Sequence, residues 1–215
     1  MGQADLQYKR GTVGCNSRRR IAPVCSGRGV GVMPNYRRVF IPGGCWFFTV
    51  NLFDRRRRLL VERIAALRDA VRWTRDRWPF EIDAWVVMPD HLRAIWSLPP
   101  GDTDFPMRWR HIKMRFSKAL PNTEASTTSR RARSERGIWQ RRYWEHVIRD
   151  EHDFHAHLAY CWLNPVKHGL VAEIDDWPFS SYHRDRPDRD NMTRFQAALD
   201  FHAQSAIPIG FGERE

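Results

Sequence analysis

Tyr160 and Asn164 stand four residues apart within RYWEHVIRDEHDFHAHLAYCWLNPVKHGL (142–170). Asp150 is a helix-starting residue type and Asn164-Pro165 a stopping pair, so the pattern predicts a helix between them, after a short strand over 143–149. Wound at the helical period, Asp153, His157, Tyr160 and Asn164 share a polar flank, with Phe154, Leu158, Cys161, Trp162 and Pro165 on the adjoining apolar side. The phenol and the amide, at i and i+4, are therefore neighbours. A phenol titrates near 10, so it becomes a nucleophile only beside a cation or metal; otherwise such a tyrosine is a half-buried packing residue. His91 and Arg93, two apart in HLRAIWSL (91–98), would point to one face of a strand. An imidazole there can ligate a metal, whereas a guanidinium has no lone pair to give. His152, His155 and His157 do not share a helical face and do not converge on one ion.

The elements that must position these groups follow from periodicity. CWFFTVN (45–51), after Pro42-Gly43-Gly44, reads as a strand. Leu59, Leu60, Ile64, Leu67 and Val71 recur at helical spacing behind the run Arg55, Arg56, Arg57, Arg58. FEIDAWVV (80–87) and HLRAIWSL (91–98), joined by a Met-Pro-Asp turn, form a hairpin. FPMRWRHIKMRFSKAL (105–120) is a basic amphipathic helix with Trp109, Ile112 and Phe116 as its apolar stripe. Residues 121–137 read as a loop, Trp177 to Tyr182 as a turn packing back, and 194–202 as a short helix. The order β-α-β-β-α-β-α is the split βαβ, ferredoxin-like arrangement of the α+β class: an antiparallel sheet with helices on one face, plus a C-terminal helix carrying the tyrosine. Residues 1–32 read as a disordered basic tail, with Met33 a possible true start; 33–184 form the domain and 185–215 a loosely structured tail.

The formal charge of +11 makes a polyanion the expected partner. Lys9, Lys113, Lys118 and Lys167 are the only lysines, so the charge is carried by arginine, which forks onto phosphate and stacks on bases. Arginine-rich codon usage is the plain alternative. Trp46, Phe47 and Phe48 also permit an RNA-binding sheet with stacking aromatics. Cys15, Cys25, Cys45 and Cys161 have no CxxC spacing and read as reduced thiols of a cytoplasmic protein; no apolar run or signal peptide points to a membrane.

Six blocks carry a resemblance: NYRR (35–38), WFFTVNL (46–52), AWVVMPDHLR (84–93), IWQRRYWEH (138–146), NPVKHGL (164–170) and DWPFSS (176–181). In this order they resemble the single-tyrosine transposases with a His-hydrophobic-His metal motif, and within them the REP-associated tyrosine transposases. The resemblance spans about residues 33–184. It implies that a helix tyrosine attacks single-stranded DNA at a palindromic hairpin, forming a 5′-phosphotyrosine link and freeing a 3′-OH. Carried over, Tyr160 is the nucleophile, His91 a metal ligand and Asn164 the third ligand of a divalent ion, Mg²⁺ or Mn²⁺. Tyr143 and Tyr182 read as packing residues.

Arg93 departs from the family pattern, standing where the second metal-binding histidine belongs. Three outcomes follow: Arg93 grips the scissile phosphate, Asp90 turns inward as a replacement ligand, or the chain is a non-catalytic DNA-binding protein derived from such a transposase. Contacts to DNA are expected from Arg37, Arg38, the run Arg55 to Arg58, Arg108, Arg110, Lys113, Arg141, Arg142, Lys167 and His168. The resemblance is compatible with a monomer or a homodimer.

Overall fold

The structure, a computed structural model, describes residues 40–122 and 136–185. The stretch 1–32, Arg37 and Arg38, most of the 121–137 loop and the expected helix at 194–202 lie outside the described residues.

Strands β1 (Cys45–Asn51), β2 (Glu81–Val87), β3 (His91–Ser97) and β4 (Trp144–Val147) form one sheet in the order β2-β3-β1-β4, every neighbour antiparallel. This is the strand order of the split βαβ fold. The expected first helix divides at Arg63 into α1 (Leu59–Glu62) and α2 (Ile64–Arg77). The basic helix is α3 (Phe105–Lys118), capped by Asp104, whose carboxylate accepts the Met107 N–H at 3.0 Å. The tyrosine helix is α4 (Glu151–Lys167).

Both faces of the sheet are covered, which explains why β1 reads as an almost continuous apolar run rather than an alternating one. Trp46, Phe48, Val50, Leu92, Ala94 and Trp96 pack on Leu67 and Val71 of α2 and on Trp109, Ile112 and Phe116 of α3. Trp96 stacks on Trp109 at 4.2 Å between ring centres. The opposite face presents Phe47, Ala84, Val86 and Ile95 to Leu158, Ala159, Cys161 and Trp162 of α4. Helices α2 and α3 thus share one face, and the C-terminal helix takes the other. This overturns the RNA-type sheet platform, because Trp46, Phe47 and Phe48 are at most 2% exposed and Phe47 lies beneath α4. None of the ten tryptophans is exposed, so their number reflects core packing.

The DWPFSS block clamps the β2 edge. Trp177 Nε1 donates to the Val87 carbonyl at 3.0 Å, the Val87 N–H donates to Phe179 O at 2.9 Å, and the Ser181 N–H donates to Trp85 O at 2.7 Å. An edge that would otherwise offer unpaired backbone groups is closed.

Candidate active site at the junction of β3 and α4

Helix α4 begins where its sequence says it should: the Asp150 carboxylate accepts the Asp153 N–H at 2.8 Å. It does not stop at Asn164-Pro165. A proline in the last turn costs one backbone bond and leaves the flanking ones intact. The His168 N–H still reaches Asn164 O at 3.0 Å, and the N–H groups of Gly169 and Leu170 reach Val166 O and Pro165 O at 2.9 and 3.0 Å. Gly169, at φ +64°, turns the chain out of the helix, a conformation that suits glycine. Asn164 is therefore an interior helix residue, fully buried, with its side chain against the sheet.

Its partner is His91, 1% exposed at the start of β3, whose Nε2 lies 3.2 Å from Asn164 Oδ1. The other ring nitrogen, Nδ1, meets Asp90 Oδ1 at 2.8 Å, and Asp90 Oδ2 accepts from Arg55 Nε at 2.8 Å. Burial pushes the Asp90 carboxyl up, but the hydrogen bonds from His91 and Arg55 outweigh it and hold it at about 2, against an ordinary 3.8. In the tautomer that carries its proton on Nδ1 and donates it in a hydrogen bond to ionised Asp90, His91 turns the Nε2 lone pair toward Asn164. With its oxygen inward, the amide sets a second lone pair against the first; reversed, it donates Nδ2–H to Nε2. In either sense the two groups meet at one point. Two donor atoms held cis at about 2.1 Å from one ion lie roughly 3.0–3.4 Å apart. The spacing of 3.2 Å therefore fits a divalent ion between His91 and Asn164.

Asp90 is not turned inward toward Asn164. Its oxygens are engaged by His91 Nδ1 and Arg55 Nε, on the side of the ring away from Asn164, so it orients the imidazole instead. Arg55 is thereby tied to this relay.

Arg93 is fully buried on the same face of β3 as His91. It donates to the hydroxyl of Thr49, its direct cross-strand neighbour, at 2.9 Å. Its Cζ lies 4.3 Å from the centre of the Tyr160 ring, and Lys167 Nζ lies 5.1 Å from that centre. Two cations thus attend the phenol that sequence reasoning singles out. Tyr182 is buried between α4 and the DWPFSS turn, and Tyr143 packs against the α3 face, matching their reading as packing residues.

A further group was not legible in the helix alone. His146 of β4 places Nε2 at 2.9 Å from Asp153 Oδ2, and His157 Nδ1 lies 3.0 Å from Asp153 Oδ1. The ligand atoms of these residues lie within 4.8 Å of one another and could hold a metal ion. The carboxylate also accepts the Arg149 N–H at 3.0 Å, and the two imidazoles stack at 16° between planes. Burial would raise the Asp153 carboxyl, yet donation from His146, His157 and Arg149 holds it far below the ordinary range. The group already staples β4 to α4. The Asp153–His157 spacing is visible in sequence, but His146 reaches them only through the strand.

The expected DNA-facing cations separate into distinct environments. Arg58, Arg110, Arg141, Arg142, Lys167 and His168 are exposed, and Arg57 and Lys113 half-buried. Lys113 Nζ donates to Gln140 O at 3.0 Å, and Arg56 pairs with Asp54 at 3.0 Å. Arg108 is not at the surface. It is 1% exposed, pairs with Asp102 at 2.6 Å, and donates to the carbonyls of Trp78, Pro79 and Asp104. It sits on the inward side of α3, where those carbonyls need donors.

No family model matches the chain. A REP-associated tyrosine transposase of Escherichia coli (strain K12) is 49% identical over 154 residues, covering 71% of this chain and 85% of that protein. A putative REP-associated tyrosine transposase of Haemophilus influenzae is 44% identical over 154 residues, covering 71% and 88%. Among solved structures, a REP-associated tyrosine transposase bound to a REP hairpin superposes with a TM-score of 0.65 at 43% identity, covering 85% of this chain and 99% of that one.

Proposed function

The chain belongs to the REP-associated tyrosine transposase family, and from that premise we propose that it binds single-stranded DNA hairpins and cleaves and rejoins the strand through Tyr160. The observation that carries the reading is the meeting of α4 and β3. Tyr160 and Asn164 share a helix flank, and Asn164 Oδ1 lies 3.2 Å from His91 Nε2.

In the proposed step the Tyr160 phenol oxygen bonds to the scissile phosphorus and the P–O3′ bond breaks. A 5′-phosphotyrosine and a 3′-OH result, the phenol proton passing to solvent and the departing 3′ oxygen taking one up. Positive charge from Arg93 and Lys167 beside the ring favours negative charge developing on the phenol oxygen. His91 and Asn164 would hold Mg²⁺ or Mn²⁺, which when bound polarises the phosphate. Asp90 orients His91, and Arg55 orients Asp90. Rejoining reverses the displacement, with an incoming 3′-OH as nucleophile. The proposed acting unit is a monomer or a homodimer, and the cytoplasm, with its chromosomal DNA, is the proposed place of action. Among the described residues no helix is long and apolar enough to cross a membrane.

A second reading is a hairpin-binding protein that no longer cuts. It is favoured by Arg93, a buried guanidinium against the nucleophile where an imidazole ligand would otherwise stand. One assay separates the two. The full chain is incubated with a single-stranded palindromic hairpin and Mn²⁺, and covalent protein–DNA adduct is resolved on a denaturing gel. The cleavage reading expects an adduct from the natural chain and none from Tyr160→Phe. Hairpin binding without any adduct establishes the second reading, and an adduct that survives Tyr160→Phe removes Tyr160 as nucleophile.

A further inference from the structure

We propose that His168 completes the cation site, supplying from the end of α4 the second imidazole that β3 lacks. The inference rests on the metal-dependent reading above and adds a ligand to it.

The geometry comes from the helix continuing through Pro165. Tyr160, Asn164 and His168 follow one another at intervals of four, so they form a single row along the flank that faces β3. His168 is the C-cap residue, at φ −86° and ψ 6°, and its N–H is bonded to Asn164 O at 3.0 Å. The backbone thus fixes the imidazole one turn beyond the amide. A helix ending at Asn164-Pro165 would not place it there.

The ring of His168 lies 5.3 Å from that of His91, centre to centre, with 61° between the planes. Two imidazoles ligating one ion at about 2.1 Å, with an angle at the metal between square and tetrahedral, have centres roughly 4.6–5.3 Å apart. The pair stands at the outer edge of that range. His91 Nε2 and Asn164 Oδ1, 3.2 Å apart, supply the buried side of the site. His168 is exposed and supplies the outer side, from which an ion and a phosphate would enter.

Arg93 has no part in ligation. Its Nη1 donates to Thr49, its Cζ lies 4.3 Å from the Tyr160 ring centre, and a guanidinium has no lone pair to give, so the strand position two residues beyond His91 offers the ion nothing. The ligand set becomes two imidazoles and an amide oxygen. Imidazole suits transition ions better than Mg²⁺, so the site prefers Mn²⁺ or Co²⁺. The competing role for His168 is a contact to DNA phosphate, which would leave metal binding in the absence of DNA untouched.

The test uses the full chain without DNA, carrying Asp153→Asn in every sample so that the His146–Asp153–His157 group does not compete for the ion. Mn²⁺ binding is followed by electron paramagnetic resonance, and the number of coupled imidazole nitrogens is read from pulsed spectra. The chain retaining His168 is expected to show two, and His168→Gln one, with the apparent Mn²⁺ dissociation constant raised at least the roughly 10–100-fold that even outer-sphere partners of a metal ligand command. His168→Asn serves as a second variant at this exposed position, and thermal melting checks that both fold. A nitrogen count and affinity unchanged in both variants overturn the assignment, as does a chain retaining His168 with fewer than two coupled nitrogens. The nucleophile reading fails separately, through an adduct that does not depend on Tyr160.

Discussion

At the scale of residues, the site turns on a buried arginine. Replacing a buried charge by an apolar side chain of similar volume is often neutral or stabilising, because the desolvation penalty disappears with the charge. Arg93 is fully buried between β3 and α4, so stability alone does not account for its presence. Its place 4.3 Å from the Tyr160 ring centre fits another use under the proposed cleavage: a fixed positive charge beside the phenol proposed to attack. Arg93→Met should therefore keep the unfolding free energy within about 1 kcal/mol of the natural chain, measured in urea, while the adduct yield with a hairpin and Mn²⁺ falls by at least an order of magnitude. Strong destabilisation with undiminished adduct would make Arg93 a packing residue. A gain in adduct would show that it obstructs the site.

At the scale of elements, α4 is held at its start by carboxylates and at its end by Gly169. Asp150→Ala removes the N-cap and is expected to cost about 1 kcal/mol. Asp153 links β4 to α4 through His146 and His157. Its folded-state pKa is depressed, so its contribution is fully present above the unfolded value near 3.8 and is lost as pH falls toward the folded one. Urea midpoints between pH 6 and pH 2 should decline for the natural chain below about pH 4, and more shallowly for Asp153→Asn. Equal slopes would remove Asp153 from the acid response. These elements also mark what sequence can and cannot say. The Asp150 cap and the Tyr160–Asn164 neighbourhood are local, fixed by the helical period, and both are legible. The passage through Pro165 is not, because only one backbone bond is forfeited and the bonds around it persist. Periodicity reads Arg108 as a surface cation, since the carbonyls it serves at Trp78 and Pro79 lie some thirty residues back in the chain. His146 joins Asp153 only through the register of β4 on β1, which no local pattern encodes.

At the scale of the whole molecule, the sheet separates two basic regions that one DNA molecule would have to join. Arg110 lies on α3, on one face of the sheet, and Lys167 on α4, on the other. The sheet order puts β4 at an edge, and the exposed pair Arg141 and Arg142 leads directly into it. Lys113 of α3 is tied to this segment through its bond to Gln140 O. A strand reaching from α3 to Tyr160 by the short way passes over that edge, so Arg141 and Arg142 should carry phosphate contacts and Arg108 none. Each neutralised phosphate on a single strand contributes about −0.7 to the slope of log K against log salt, and about −0.9 on a duplex. For Arg141→Ala with Arg142→Ala, hairpin binding measured across a salt series should weaken and its slope become shallower by about 1.4–1.8. Arg108→Ala should leave the slope unchanged, because its guanidinium is spent on Asp102 and on backbone carbonyls. It should instead destabilise the fold by about 2–4 kcal/mol, as breaking a buried, hydrogen-bonded ion pair does. A slope altered by Arg108→Ala but not by the Arg141–Arg142 pair would route the DNA along α3 and away from the β4 edge.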